Sequence, residues 1–220
     1  LNIDSGVATA VLDCPPVNAI GQSFVDTMNQ VLEQVENRQD VTVFRLRSAC
    51  KAFCAGADLA LMRQVIAAPQ GPDVMVGLIR QLQRVYRRLE QLNAVTVAEI
   101  GGAALGGGLE LALACDLRVA ACEAKLGLPE ARLGLLPGAG GTQRLTRLCG
   151  AGVAKRLILG AEVVDGVAAE RLGIVQWARP LAEVAAFASQ LAARYAEMPK
   201  AALAANKRCI EAAGDAETDG

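Results

Sequence analysis

The chain has no histidine in 220 residues and few aromatic side chains: one Trp, two Tyr and four Phe. Without imidazole, Ser-His-Asp and Cys-His nucleophilic catalysis, His-ligated zinc and imidazole acid–base chemistry are all excluded. Any proton transfer falls to carboxylates, Lys, Tyr, Cys or water. Net charge is almost absent too, with 22 Lys+Arg against 23 Asp+Glu, so no overall field draws nucleic acid or anionic lipid. Glu99, Glu110 and Asp116 interrupt the most apolar stretch too often for a membrane span, and no signal-peptide pattern opens the chain. The seven cysteines are odd in number, contain no C-x-x-C pair, and sit in apolar runs such as Leu113-Ala114-Cys115. They read as reduced, small hydrophobes of a cytoplasmic protein.

What is present describes a core-rich globular chain, 53% hydrophobic and 20% charged. At this length about 70% of the unfolded surface is buried on folding, enough for a core without disulfides. β-Branched runs bounded by turn formers predict strands at 7–12, 41–47, 94–100 and 117–121. Between them Phe24, Met28, Val31, Leu32 and Val35 repeat with helical period, and Leu78, Leu82, Val85, Leu89 and Leu92 draw a second stripe over 74–92. Strands alternating with helices imply an α/β core over 1–165. From Gly141 the pattern is almost wholly helical, with stops at Gly150, Gly160, Gly173, Pro180 and Pro199 and only 174–178 extended, so 166–220 reads as a helical region. The chain starts inside a strand-like run, which suggests trimmed ends.

Three segments keep the backbone bare: Cys54-Ala55-Gly56-Ala57-Asp58, Leu105-Gly106-Gly107-Gly108-Leu109-Glu110 and Pro137-Gly138-Ala139-Gly140-Gly141-Thr142. None fits the phosphate-binding G-x-x-x-x-G-K-[ST] pattern or a dinucleotide G-x-G-x-x-G after a strand. The second runs from a strand through a glycine bend into a helix predicted at 109–115. Unpaired N–H groups there suit a developing oxyanion, and Glu110 follows Gly107 by one helical turn. Glu110 reads equally as a first-turn acid favoured by the helix dipole. Glu130, beside Pro129 in an apolar run, is either a buried acid with a raised pKa, or an exposed helix-start acid or partner of Arg132.

These segments, with Pro16-Val17-Asn18-Ala19, Lys51-Ala52-Phe53, Leu128-Pro129-Glu130 and Gly141-Thr142-Gln143-Arg144-Leu145, closely resemble the enoyl-CoA hydratase/isomerase (crotonase) family, in family order over nearly the whole chain. Within it the wording is near the enoyl-CoA hydratases, including the methylglutaconyl-CoA hydratase branch. The resemblance implies a crotonase-like spiral of ββα units with a C-terminal helical trimerisation region, assembled as a homotrimer or a dimer of trimers and acting on acyl-CoA thioesters in fatty acid β-oxidation. It implies an oxyanion hole from the N–H groups of Ala57 and Gly107. Glu110 and Glu130 match the two catalytic glutamates, and Lys51, Ala55, Ala57, Asp58 and Leu59 the part of the family that binds CoA. It implies no cofactor beyond the CoA of the substrate and no metal. Keeping both glutamates favours hydration of a trans-2-enoyl-CoA over double-bond isomerisation. The family's closing segment is not found before Gly220, so the 166–220 region reads as incomplete at its end, and Asp116 and Arg144 read as structural. A different class, RNA binding through the stripe Arg80, Arg84, Arg87 and Arg88, is disfavoured because interleaved aromatics are missing beyond Tyr86.

Overall fold

The computed structural model describes residues 1–58, 68 and 70–212. Its larger sheet has six strands in the order β1 (Asn2–Asp4), β2 (Val7–Leu12), β3 (Val43–Ser48), β4 (Val95–Ile100), β6 (Leu117–Ala121) and β9 (Trp177–Arg179). Only β1 and β2 are antiparallel; every later neighbour is parallel, from Val7 opposite Val43 to Val119 opposite Trp177. Parallel neighbours need a crossover, and helices α1 (Gln22–Glu36), α2 (Gly71–Glu90) and α3 (Gly107–Leu113) lie between successive strands. A smaller sheet joins β5 (Ala104–Leu105), β7 (Lys125–Gly127) and β8 (Val163–Asp165).

The two sheets are the two walls of one spiral. Each turn runs a strand along the large sheet and then a short extended piece along an inner ribbon, where Ile20 bridges Ala57, Cys54 bridges Ala104, and Leu105 pairs with Gly127. A helix closes the turn. Successive turns are stacked backbone on backbone. A Cβ at Gly102, Gly108 or Gly166 would stand 1.8 Å from Lys51 O, 2.0 Å from Cys54 O or 2.0 Å from Ala121 O, so only glycine admits this spacing.

The expected strands and helices form, with ends displaced by a few residues. Val25, Met28, Leu32 and Val35 are the buried face of α1, while Leu82, Val85, Tyr86 and Leu89 are that of α2. With few aromatics, the core is filled mainly by aliphatic side chains around Phe44, Phe53 and Tyr86. The region after Gly141 holds two strands where one extended run was expected: β8, and β9 at Trp177–Arg179 instead of 174–178. Three-residue strands carry no period of their own, so their pairing partners decide them. Helix α4 (Gly141–Ile158) is broken at Gly150, which takes φ 79°, the position expected as a stop.

Of residues 166–212, β9 edges the large sheet and α6 (Leu181–Ala196) lies across it after the short α5 (Gly166–Arg171). The Arg45 guanidinium, bonded to the Glu99 carboxylate, also donates to Ala185 O at 3.2 Å and ties α6 to β3 and β4. In α7 (Lys200–Ala212), Lys207 Nζ lies 2.9 Å from Asp116 Oδ2, which also accepts the Thr96 N–H at 2.7 Å. Asp116 is thus structural, as expected. No helix among the described residues is long and apolar enough to cross a membrane.

Candidate active site

Glu110 is carried by α3, which begins at Gly107, two residues earlier than the apolar pattern indicates. Gly106 takes φ 53°, a turn open to glycine, and delivers Gly107 as the first helical residue. Glu110 is 3% exposed. Burial pushes its carboxyl up to about 7, helped by the neighbouring Glu130 charge; N–H donors at Gly141 and Ala139 and the Arg144 charge pull the other way. The Gly141 N–H donates to Glu110 Oε1 at 2.8 Å. Glu110 is a first-turn acid of α3, and its carboxylate lies on the side of Gly107, so the structure holds both arrangements read for it.

Glu130 sits on a 3₁₀ turn, Pro129–Leu133, directly after β7. It is half-buried, and burial raises its pKa. Its Oε2 is shielded from solvent and takes no hydrogen bond among the described residues. Arg132 does not pair with it, donating instead to Ala161 O at 2.9 Å. The two carboxylates flank consecutive glycines. A Cβ on Gly106 would lie 3.0 Å from Glu130 Oε1, and one on Gly107 would lie 3.9 Å from Glu110 Oε2.

Ala57 reaches the same place from the previous spiral turn. A Cβ on Gly56 would lie 3.3 Å from Gly107 N, so the two backbones are in contact. The N–H groups of Ala57 and Gly107 have no protein acceptor among the described residues. Of the residues expected at CoA, Ala55 is fixed by its N–H to Val17 O at 3.0 Å, Lys51 and Asp58 are exposed, and Leu59 lies outside the described residues.

Helix α2, for which the sequence showed no link to this site, also reaches it through Gln83, Tyr86 and Glu90, at i, i+3 and i+7. Tyr86, fully buried with its pKa raised well above the ordinary by desolvation, donates its hydroxyl to Gly107 O at 2.9 Å. Gln83 Nε2 donates to Gly138 O at 2.7 Å. Arg144, the expected ion-pair residue, makes two hydrogen bonds to Glu90, 3.2 and 2.8 Å, and one to Ala139 O at 2.9 Å. These bonds hold the 137–141 loop that presents Gly141 N–H to Glu110. Three polar groups at helical spacing along the edge of the apolar face were the available signal. The arginine stripe is divided: Arg88 pairs with Glu36 at 2.7 Å, while Arg80, Arg84 and Arg87 are exposed.

Glu110, buried, and Glu130, half-buried, each with its pKa raised by burial, thus flank two N–H groups that have no protein acceptor among the described residues, at the seam of a ββα spiral of crotonase-like fold. The enoyl-CoA hydratase/isomerase family model matches residues 2–219, and the chain belongs to that family. It is 41% identical over 178 residues to the enoyl-CoA hydratase domain-containing protein 2, mitochondrial, of Mus musculus, covering 80% of this chain and 58% of that protein. It is 40% identical over 159 residues to the mitochondrial methylglutaconyl-CoA hydratase of the same species, covering 72% of this chain and 49% of that one. The chain thus spans about half to three-fifths of these relatives' length. Among solved structures, an enoyl-CoA hydratase from Bacillus anthracis superposes with TM-score 0.87 at 33% identity, covering 94% of this chain and 79% of that chain.

Proposed function

We propose that the protein hydrates trans-2-enoyl-CoA thioesters, adding water across the 2,3 double bond, as one step of fatty acid β-oxidation. The observation that carries this reading is the pair Glu110 and Glu130, both shifted toward holding a proton and both turned to the same two glycines. The N–H groups of Ala57 and Gly107 donate to the thioester oxygen and stabilise it as negative charge arrives. Glu110, ionised, takes a proton from a water whose oxygen bonds to the β-carbon. The π electrons move to the thioester oxygen as an enolate, and Glu130, protonated, returns a proton to the α-carbon. One proton is taken and one given, so the pair resets by exchanging a proton with solvent. CoA lies along Lys51, Ala55, Asp58 and Leu59, and the reaction uses no cofactor or metal.

The proposed assembly is a homotrimer or a dimer of trimers in a reducing, cytoplasmic environment; all seven cysteines are free thiols. Purified protein is expected to consume crotonyl-CoA, read as loss of the conjugated thioester absorbance. Glu110→Gln and Glu130→Gln should each lower kcat by about 100-fold or more with the fold unchanged by circular dichroism. Near-normal rates in both variants would remove the assignment. A wild-type protein that ignores crotonyl-CoA but turns over methylglutaconyl-CoA would move the substrate to that branch.

A further inference from the structure

Asn18 belongs to a motif that the proposed chemistry leaves without a task. It is 2% exposed and takes φ 54°, a left-handed conformation that Asn tolerates better than most residues. Its side chain is used at both ends. Oδ1 accepts the Cys14 N–H at 2.7 Å, while Nδ2 faces Ser48 Oγ at 2.7 Å, Phe53 O at 2.9 Å and Ala52 O at 3.3 Å. Its main-chain oxygen accepts from Cys54 Sγ at 3.0 Å. One residue therefore joins the loop around Cys14 to the segment leading into Ala57.

What this junction holds is the pair of free N–H groups. Ala55 N donates to Val17 O at 3.0 Å, Ile20 N to Gly56 O at 2.9 Å and Asp58 N to Ile20 O at 3.4 Å, so 17–20 and 55–58 form a short ribbon with Ile20 opposite Ala57. Ile20 Cδ1 also lies 2.9 Å from where a Cβ of Gly107 would stand. Residues 17–20 thus touch both donors, and Asn18 is their anchor. We infer that Asn18 is a positioning residue for the thioester oxygen: it aims the Ala57 N–H by locking 17–20 to 52–57, and never touches substrate itself. The inference rests on the enoyl-CoA reading above.

Polarisation of a bound conjugated thioester carbonyl shifts its absorbance to the red, which gives a readout that stability alone does not move. Glu110→Gln protein with crotonyl-CoA should show that shift. Adding Asn18→Gly, which keeps the backbone freedom and removes the side chain, should shrink it, and Ser48→Ala should shrink it less. As single substitutions they should lower kcat, by about 10- to 100-fold for Asn18→Gly, with KM changed less than kcat. Variants that lose thermal stability but keep the full red shift and kcat overturn the inference and leave the functional reading standing. No red shift in the Glu110→Gln parent overturns both. If Asn18→Gly does not accumulate as folded protein, Ser48→Ala decides alone: a reduced shift supports positioning and an unchanged one overturns it.

Discussion

Glu110 has a pKa of about 7 in the folded chain instead of 4.5, so between those values the native state keeps a proton that the unfolded chain has released. Stability therefore falls as pH rises through that window, by roughly 3 kcal/mol in total at 1.36 kcal/mol per unit. Glu110→Gln keeps an oxygen for the Gly141 N–H and removes the charge. It should melt above wild type at pH 8, with the difference closing toward pH 5 in a thermal scan. The same ionisation sets activity: kcat/KM for an enoyl-CoA should climb as pH passes about 7, where Glu110 becomes a base. With no histidine in the chain, no imidazole contributes to that limb. The glycine bend and the proline marked in sequence where the helices carrying both glutamates start, and the family resemblance singled the two out. Their burial was not legible there, since it depends on the 137–141 loop and on the preceding spiral turn.

At the level of elements, α2 binds two otherwise separate parts of the site, Gly107 through Tyr86 and the 137–141 loop through Gln83 and Glu90. Tyr86→Phe deletes one buried hydroxyl bond at nearly constant volume, a loss of about 1 kcal/mol in a denaturant titration. Because Gly107 is what that bond restrains, kcat should drop severalfold, more than KM. The apolar stripe of α2 was plain in sequence, as were β2, β3, β4 and β6 with their β-branched runs. The inner ribbon was not. Its strands β5, β7 and β8 are two or three residues long, and Ala104, Leu126 and Val164 become strand residues only because neighbouring turns pair with them.

Across the whole molecule, large apolar side chains stay exposed in several places, among them the stretch between residues 133 and 159. Leu133 on the 3₁₀ turn, Leu136 on the loop after it, Leu148 on α4 and Leu159 just past its end are exposed, Leu136 at 68% and Leu159 at 72%. Leu133 shares the 3₁₀ turn with Glu130, so a subunit covering that turn would also lie beside this acid. Leu136→Glu with Leu159→Glu should convert the proposed trimer to a monomer in sedimentation equilibrium and reduce activity with it. A double variant that stays trimeric places the interface elsewhere.

The backbone contacts at Gly102, Gly108 and Gly166 have a genetic consequence. Every glycine codon is one base change from an alanine codon, so the commonest conservative exchange is within constant mutational reach at all three. Here it inserts a methyl group into a carbonyl at 1.8 to 2.0 Å, which no side-chain repacking can absorb because both partners are main chain. In a saturation library these positions should be as empty as Glu110, although they do no chemistry. Depletion alone would then identify the stacking of the spiral as readily as its active site, and only an assay separating abundance from turnover would tell the two apart.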